Sequence, residues 1–250
     1  TDQPTYCAGE TVTGVINLSI VMPITTSGLF IKLEGFERTK FQTKRTEHVQ
    51  QSDGTSKMVT HIDNHSAHRM LIRHRMQIPG MPLAMIPGQF SFPFSFQLPN
   101  GIPGVYHNHD EYQNLPYEAS VFYRLEAFVD GIGFSSDMRC SQPLIINQAL
   151  LSGIKASTAL KTANAMFLCC INKGEITMGA TFDKNAYIPG ESANIVCAVD
   201  NKSEVDVGSI NVKLMRKTIL RAGSKSITDI DTVFGHKYPG IEKGKKYWGG

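Results

Sequence analysis

A chain of 250 residues with 41% apolar and 19% charged side chains has the balance of a soluble protein with a core, enough for one large domain or two ordinary ones, and excludes a disordered or low-complexity polymer. No apolar run approaches the roughly 18 residues that cross a bilayer. Net charge is +3, but residues 202–250 hold ten Lys/Arg against five Asp/Glu, a local +5. Aromatic residues are not interleaved with these cations, which argues against nucleic acid as a partner. The basic end reads as a solvated strand face and loop or, more sharply, as a docking surface for phosphate groups or acidic peptide.

In chain order, Thr1-Asp2-Gln3-Pro4 does not read as a secretory leader, and a first residue other than Met is expected of a chain that starts inside a longer protein. Strand alternation follows: Gly14, Ile16, Leu18 and Ile20 point one way, Val15, Asn17 and Ser19 the other. The segment Thr43 to His68 is polar and His-rich, a strand edge or loop. Pro79-Gly80, Pro87-Gly88 and Pro99-Asn100-Gly101 mark turns, and His107-Asn108-His109-Asp110 reads as a surface loop. Alternation returns with Val121, Tyr123, Leu125, Ala127 and Val129 against Phe122, Arg124, Glu126 and Phe128. Residues 149–165 read as a linker, since Leu150 to Ala165 tolerates a helical turn but has weak apolar spacing. Ile176, Met178, Ala180 and Phe182 then alternate before the turn at Pro189-Gly190. Many short strands divided by turns predict an all-β sandwich or barrel.

Cys7, Cys140, Cys169, Cys170 and Cys197 are odd in number, lack CxxC spacing and include an adjacent pair. They read as free thiols in a reducing, cytoplasmic compartment. The Asn-x-Ser triplets at Asn17, Asn64 and Asn201 are then chance matches.

The chain also repeats itself. A shift of 181 places Asp2 on Asp183, Tyr6 on Tyr187, Gly9-Glu10 on Gly190-Glu191, Val15 on Val196 and Lys32-Leu33 on Lys213-Leu214. Apolar class is kept at Ile16/Cys197, Leu18/Val199, Ile24/Val205, Leu29/Ile210 and Ile31/Val212. So long a period is not a solenoid; it predicts two copies of one β-sandwich. Gly9 and Gly190 are expected to supply the tight turn after the tyrosine, and the shared glutamate to bond turn amides.

Tyr187-Ile188-Pro189-Gly190-Glu191, followed by alternating apolar residues and Asp200-Asn201-Lys202-Ser203, resembles the opening of an arrestin C-terminal domain. Leu168-Cys169-Cys170 and Gly174-Glu175-Ile176 are similar to the alpha-arrestins, or arrestin-domain-containing proteins, in particular. The first half agrees through Tyr6-Cys7-Ala8-Gly9-Glu10, Ile31-Lys32-Leu33-Glu34-Gly35, Phe92-Pro93-Phe94-Ser95-Phe96-Gln97-Leu98-Pro99 and Val121-Phe122-Tyr123-Arg124-Leu125-Glu126-Ala127. Ala8 replaces the family's usual proline. The resemblance implies two tandem immunoglobulin-like β-sandwiches, at 1–148 and 166–250. It also implies a non-catalytic trafficking adaptor that holds cytoplasmic segments of membrane-protein cargo and links them to endocytic, sorting or ubiquitylation machinery. Such an adaptor is cytoplasmic, with recruitment to plasma membrane or endosomes, and does not itself span the membrane. Family members recruit ubiquitin ligases through Pro-Pro-x-Tyr motifs in a C-terminal tail, and this sequence has no Pro-Pro pair; a ligase partner would need a further tail. The runner-up with the same fold is a subunit of a retromer-like endosomal retrieval coat.

An enzyme would need a constellation, and GxSxG, HExxH, P-loop and paired CxxC are all missing from the sequence. His61, His65 and His68 around Asp63 are the best metal candidates, but Asn64 and Ser66 favour a polar loop. Cys169-Cys170, after apolar Met166-Phe167-Leu168, reads as a buried strand or linker thiol pair rather than a redox or lipidated site. No catalytic, cofactor or metal residue is therefore expected; a metal- or thiol-dependent enzyme is the alternative of another class. Partner binding is expected instead from Lys213, Lys217, Arg221 and Lys225. If Ile210, Val212 and Leu214 face the core, Lys213 and Lys217 share the solvent face, and Arg216 turns inward unless the strand ends or bulges near Met215. The shift of 181 also predicts that most of the first strand of domain one precedes residue 1, and that the second sandwich runs about 77 residues beyond Gly250.

Overall fold

The alternating segments fold as strands, with no helix among the described residues. The computed structural model describes residues 1–52, 54–132, 138–149, 153–167, 171–188 and 190–249. They divide into two units, the first comprising Thr1–Ala149 and Thr218–Asp229, the second Leu150–Lys217 and Ile230–Gly250.

The first unit contains β1 (Thr5–Cys7), β2 (Thr11–Ile20), β3 (Ile24–Gln50), β4 (Ser56–Ile78), β5 (Ala84–Met85), β6 (Gly88–Gln97), β7 (Tyr106–Tyr112), β8 (Leu115–Gly131) and β9 (Met138–Asn147). One sheet has the order β1-β9-β8-β3-β4, with β5 beside β3 and β7 beside β8; β2 and β6 form the other. The predicted parity explains why the two sheets stack. Val12 and Ile20 of β2, with Phe92, Phe94 and Phe96 of β6, meet Leu29, Ile31 and Leu33 of β3 and Tyr123, Leu125 and Val129 of β8 in one core. A smaller cluster lies farther along β3 and β8, where Phe41 and Tyr117 bury Leu220 and Ile227.

The second unit contains β10 (Ser157–Phe167), β11 (Ile171–Phe182), β12 (Ile195–Asn201) and β15 (Lys246–Gly249) in one sheet, and most of the hairpin β13 (Val207–Ala222)–β14 (Lys225–Ile241). Val199, Ile210 and Ile241 are its buried apolar cluster. Asn201 is fully buried, and its side-chain Nδ2 donates to the carbonyl of Val205 at 2.9 Å.

Three local readings are corrected. Ser157–Phe167, within and just past the expected linker, is a strand paired antiparallel with β11. Its apolar spacing is weak because nearly all its side chains face solvent, and hydroxyls hold the pair together at Thr158–Thr181 (3.2 Å) and Thr162–Thr177 (2.9 Å). His107–Asp110 lies inside β7, where β8 supplies the backbone partners that its polar composition hid. Residues 43–50 and 56–68 likewise form the two arms of the β3–β4 hairpin, so over these residues the strand-edge reading holds and the loop reading does not.

The repeat folds twice into the same turn. The amide of Cys7 donates to Glu10 Oε2 at 2.7 Å, and that of Ile188 to Glu191 Oε2 at 3.0 Å. Each glutamate's own amide closes back on the carbonyl of Cys7 (3.0 Å) or Ile188 (3.1 Å). Gly9 and Gly190 hold φ of 87° and 90°, a left-handed conformation that costs other residues about 1–2 kcal/mol. Gly190→Ala should therefore lose about 1 kcal/mol. Gly9→Ala should lose slightly more, because the new Cβ would also push aside the side-chain amide of Asn100; urea unfolding of the two variants checks the order.

Candidate partner-binding surface

Strand parity that sends Leu29, Ile31 and Leu33 into the core sends Phe30, Lys32 and Glu34 to the opposite face of the sheet. Cross-strand register then fixes their neighbours: Lys32 lies between Arg75 and Glu126, and Glu34 between Arg73 and Arg124. Glu34 Oε1 accepts from Arg73 Nε at 3.2 Å and its Oε2 from Arg124 Nη2 at 3.0 Å, with Lys32 Nζ 3.4 Å away. Lys32 also meets Glu126 at 2.7 Å, an ion pair without hydrogen-bond geometry. Arg75 pairs with Asp130 at 3.2 Å and Arg139 reaches Glu126 at 3.9 Å. Beside them Phe30 and Phe128 stack at 5.4 Å, with the Arg75 guanidinium 4.2 and 5.0 Å from their centroids and that of Arg139 5.1 Å from Phe128.

The charges are layered. The Glu34 and Glu126 side chains are 6% and 14% exposed, whereas those of Arg73, Arg75, Arg124 and Arg139 are 61%, 51%, 49% and 49% exposed. Among the described residues, Lys32 and the four arginines surround the carboxylates Glu34, Glu126 and Asp130. Solvent therefore meets the positive groups first. Burial works against ionisation of Glu34, but the Arg124 hydrogen bond and the charges of Lys32 and Arg73 outweigh it and hold the carboxyl below the usual carboxylate range. Farther along the same face, a cleft of about 290 Å³ opens between β4, β3 and β8 around Lys40, Asn64, Ser66 and Glu118.

Lys213, Lys217, Arg221 and Lys225 are all exposed on the β13–β14 hairpin, the first two in the second unit and the last two in the first. β13 does not stop near Met215. Leu214 is 61% exposed rather than in a core, because apolar neighbours bury only the two ends of this long strand, at Ile210 and Leu220. Arg216, on the side of Leu214, bonds Asp231 through Nη2 at 2.7 Å.

The β4 histidines do not converge. His61 and His65 alternate onto the side of Phe41, with His65 2.8 Å from Thr43 Oγ1, whereas His68 stacks on Phe36 on the other side. Cys7, Cys140 and Cys197 are free thiols, while Leu168, Cys169 and Cys170 lie outside the described residues. Sequence reasoning put Arg124 and Glu126 on the face opposite Tyr123 and Leu125 but missed Arg73, Arg75 and Arg139, whose place depends on register between distant strands. Alternation in Arg73-His74-Arg75 was the available signal.

The family model for the arrestin (or S-antigen) N-terminal domain matches residues 1–141, and that for the arrestin C-terminal domain matches residues 172–248. Arrestin domain-containing protein A of Dictyostelium discoideum is 26% identical over 251 residues, covering 98% of this chain and 42% of that protein. Arrestin domain-containing protein 1 of Rattus norvegicus is 24% identical over 153 residues, covering 59% of this chain and 33% of that protein. The corresponding Mus musculus protein is 23% identical over 58% of this chain. The chain thus spans less than half the length of these relatives.

Proposed function

We propose that this chain, which belongs to the alpha-arrestin, or arrestin-domain-containing, family, is the β-sandwich part of a non-catalytic adaptor that holds acidic cytoplasmic segments of membrane proteins. In this reading residues 1–148 are its first domain, and its second begins with β10 at Ser157 rather than at the expected 166, because β10 pairs with β11. It joins its cargo to endocytic, sorting or ubiquitylation machinery, and works in the cytoplasm with recruitment to plasma membrane or endosomes. The observation that carries the reading is the layering on the first unit, where outward Arg73, Arg75, Arg124 and Arg139 cover inward Glu34 and Glu126. Carboxylates or phosphates of a cargo segment meet guanidinium groups there by charge-assisted hydrogen bonds. Exposed Lys213 and Lys217 in the second unit, and Arg221 and Lys225 in the first, offer further cations for the same chemistry. Each exposed pair is worth no more than about 1 kcal/mol, so several act together.

Proximity labelling with the full-length protein in cells tests the adaptor role. Enrichment of membrane transporters or receptors, with ubiquitin ligases, is the expected result. A set made up of soluble metabolic enzymes would contradict it.

A further inference from the structure

At one end of the first unit two segments carry no charge: residues 20–28 and 79–88 contain no Asp, Glu, Lys or Arg, and the acidic side chain opposite them, Asp130 across from Gly28, is paired with Arg75. Pairing draws these two distant segments together. Ile20 lies opposite Gly88, Ile24 opposite Met85 and Thr25 opposite Ala84, and the Thr26 amide donates to the Leu83 carbonyl at 2.8 Å. Ile20, Thr26 and Met85 turn inward and are at most 4% exposed. The residues between them do the opposite. Val21 is 81% exposed, Ile86 73%, Met22 69% and Leu83 63%, the four most exposed large apolar side chains among the described residues of the unit. Ile132, 50% exposed, joins them by donating its amide to the Thr25 carbonyl at 3.0 Å.

These side chains contribute nothing to the core, and a cluster of exposed apolar groups on separate turns marks a contact surface rather than a folding requirement. We propose that this end is a membrane-contact site that inserts Val21, Met22, Leu83 and Ile86 into the interface of an anionic lipid bilayer. Two observations select a bilayer. The apolar groups project from turn apices stiffened by Pro23, Pro82 and Pro87. Such a projection suits a deformable medium, which needs no matching pocket. Charge complementarity is the second. Behind the apices lie Arg75 and Arg139 over the Phe30–Phe128 stack, with their carboxylate partners less exposed than they are. Phe30 is five residues from Thr25, about 16 Å along the strand. Apices buried about 5–10 Å deep bring these guanidinium groups within about a Debye length, 8–10 Å, of the headgroups. The site shares Arg75 and Arg139 with the cargo surface, but its apolar apices take no part in the cargo reading, and it requires no partner protein and no cation of the β13–β14 hairpin.

Flotation of the protein with phosphatidylcholine vesicles containing phosphatidylserine tests the proposal. The expected result is that the wild type floats, and that Val21→Ser/Met22→Ser/Leu83→Ser/Ile86→Ser reduces partitioning at least about tenfold while leaving the thermal midpoint unchanged. In a Trp248→Phe background, Met22→Trp should shift its emission to the blue on adding the same vesicles. Failure of the wild type to float, or equal flotation of the fourfold variant, would overturn the proposal. So would vesicle-independent self-association abolished by the same substitutions, which would assign the patch to a second copy of the chain.

Discussion

Replacing Arg73 and Arg124 together with leucine should lower the unfolding free energy by about 3 kcal/mol at pH 7. The loss comes from the group left behind. Glu34 is 4% exposed, and without its two guanidinium donors only Lys32, 3.4 Å away, still faces it. Burial, which already acts to raise this carboxyl, would then win over the remaining charge. The pH dependence reverses accordingly. In the wild type the depressed carboxyl contributes stability that is fully present above the ordinary carboxylate range and lost as pH falls through its lowered value. In the double variant the raised carboxyl contributes stability only when protonated, so the deficit should shrink as pH falls through that range. Adding Glu34→Gln removes the buried charge and should recover most of the loss. Urea unfolding across the acid range measures the wild type and both variants. A double variant as stable as the wild type at pH 7 would mean that Glu34 is not held by this clamp.

Tyr117→Ala is the second large effect, about 3–4 kcal/mol by analogy with other buried aromatic deletions. Tyr117 is 2% exposed and packs with Phe41, Leu220 and Ile227. Its hydroxyl donates to Asp229 Oδ2 at 2.8 Å and accepts from Asn108 Nδ2 at 3.1 Å. Because Leu220, Ile227 and Asp229 belong to the segment 218–229, the damage should concentrate there, and hydrogen exchange should show its amides losing protection before those around Val12 and Leu33. Tyr117→Phe keeps the ring and should cost only about 1 kcal/mol. Burial first, then the Asp229 carboxylate, push the Tyr117 hydroxyl up to about 12. Its contribution is present below the ordinary tyrosine value and is lost as pH rises from about 10 toward that raised value. Tyr117→Phe should therefore flatten the alkaline limb of the stability profile. Uniform exchange in the alanine variant would contradict the local role.

What the sequence reveals follows from the range of the interactions. The paired turns at Gly9-Glu10 and Gly190-Glu191 are local, closed by bonds three residues apart, so their likeness survives in the letters. Alternation in β2 and β8 is legible because one face of each packs into the core. β7 and β10 are not, since polar chains become strands only when β8 and β11 supply the missing hydrogen-bond partners. The layered charges fail for the same reason: Arg73 and Arg124 are 51 positions apart in sequence and meet only through Glu34. Leu214 misleads in the other direction, because parity gives a side chain its face without saying whether anything covers it.

The most direct test of the adaptor account is a titration of the protein with acidic peptides from the cytoplasmic segments of its labelled membrane partners. It compares the wild type with Arg75→Gln/Arg139→Gln and with Lys213→Gln/Lys217→Gln/Arg221→Gln/Lys225→Gln. Saturable binding that weakens with added salt, and about tenfold on loss of Arg75 and Arg139, is the predicted result. Binding unchanged in both variants, or equally strong to peptides stripped of their acidic residues, would contradict it.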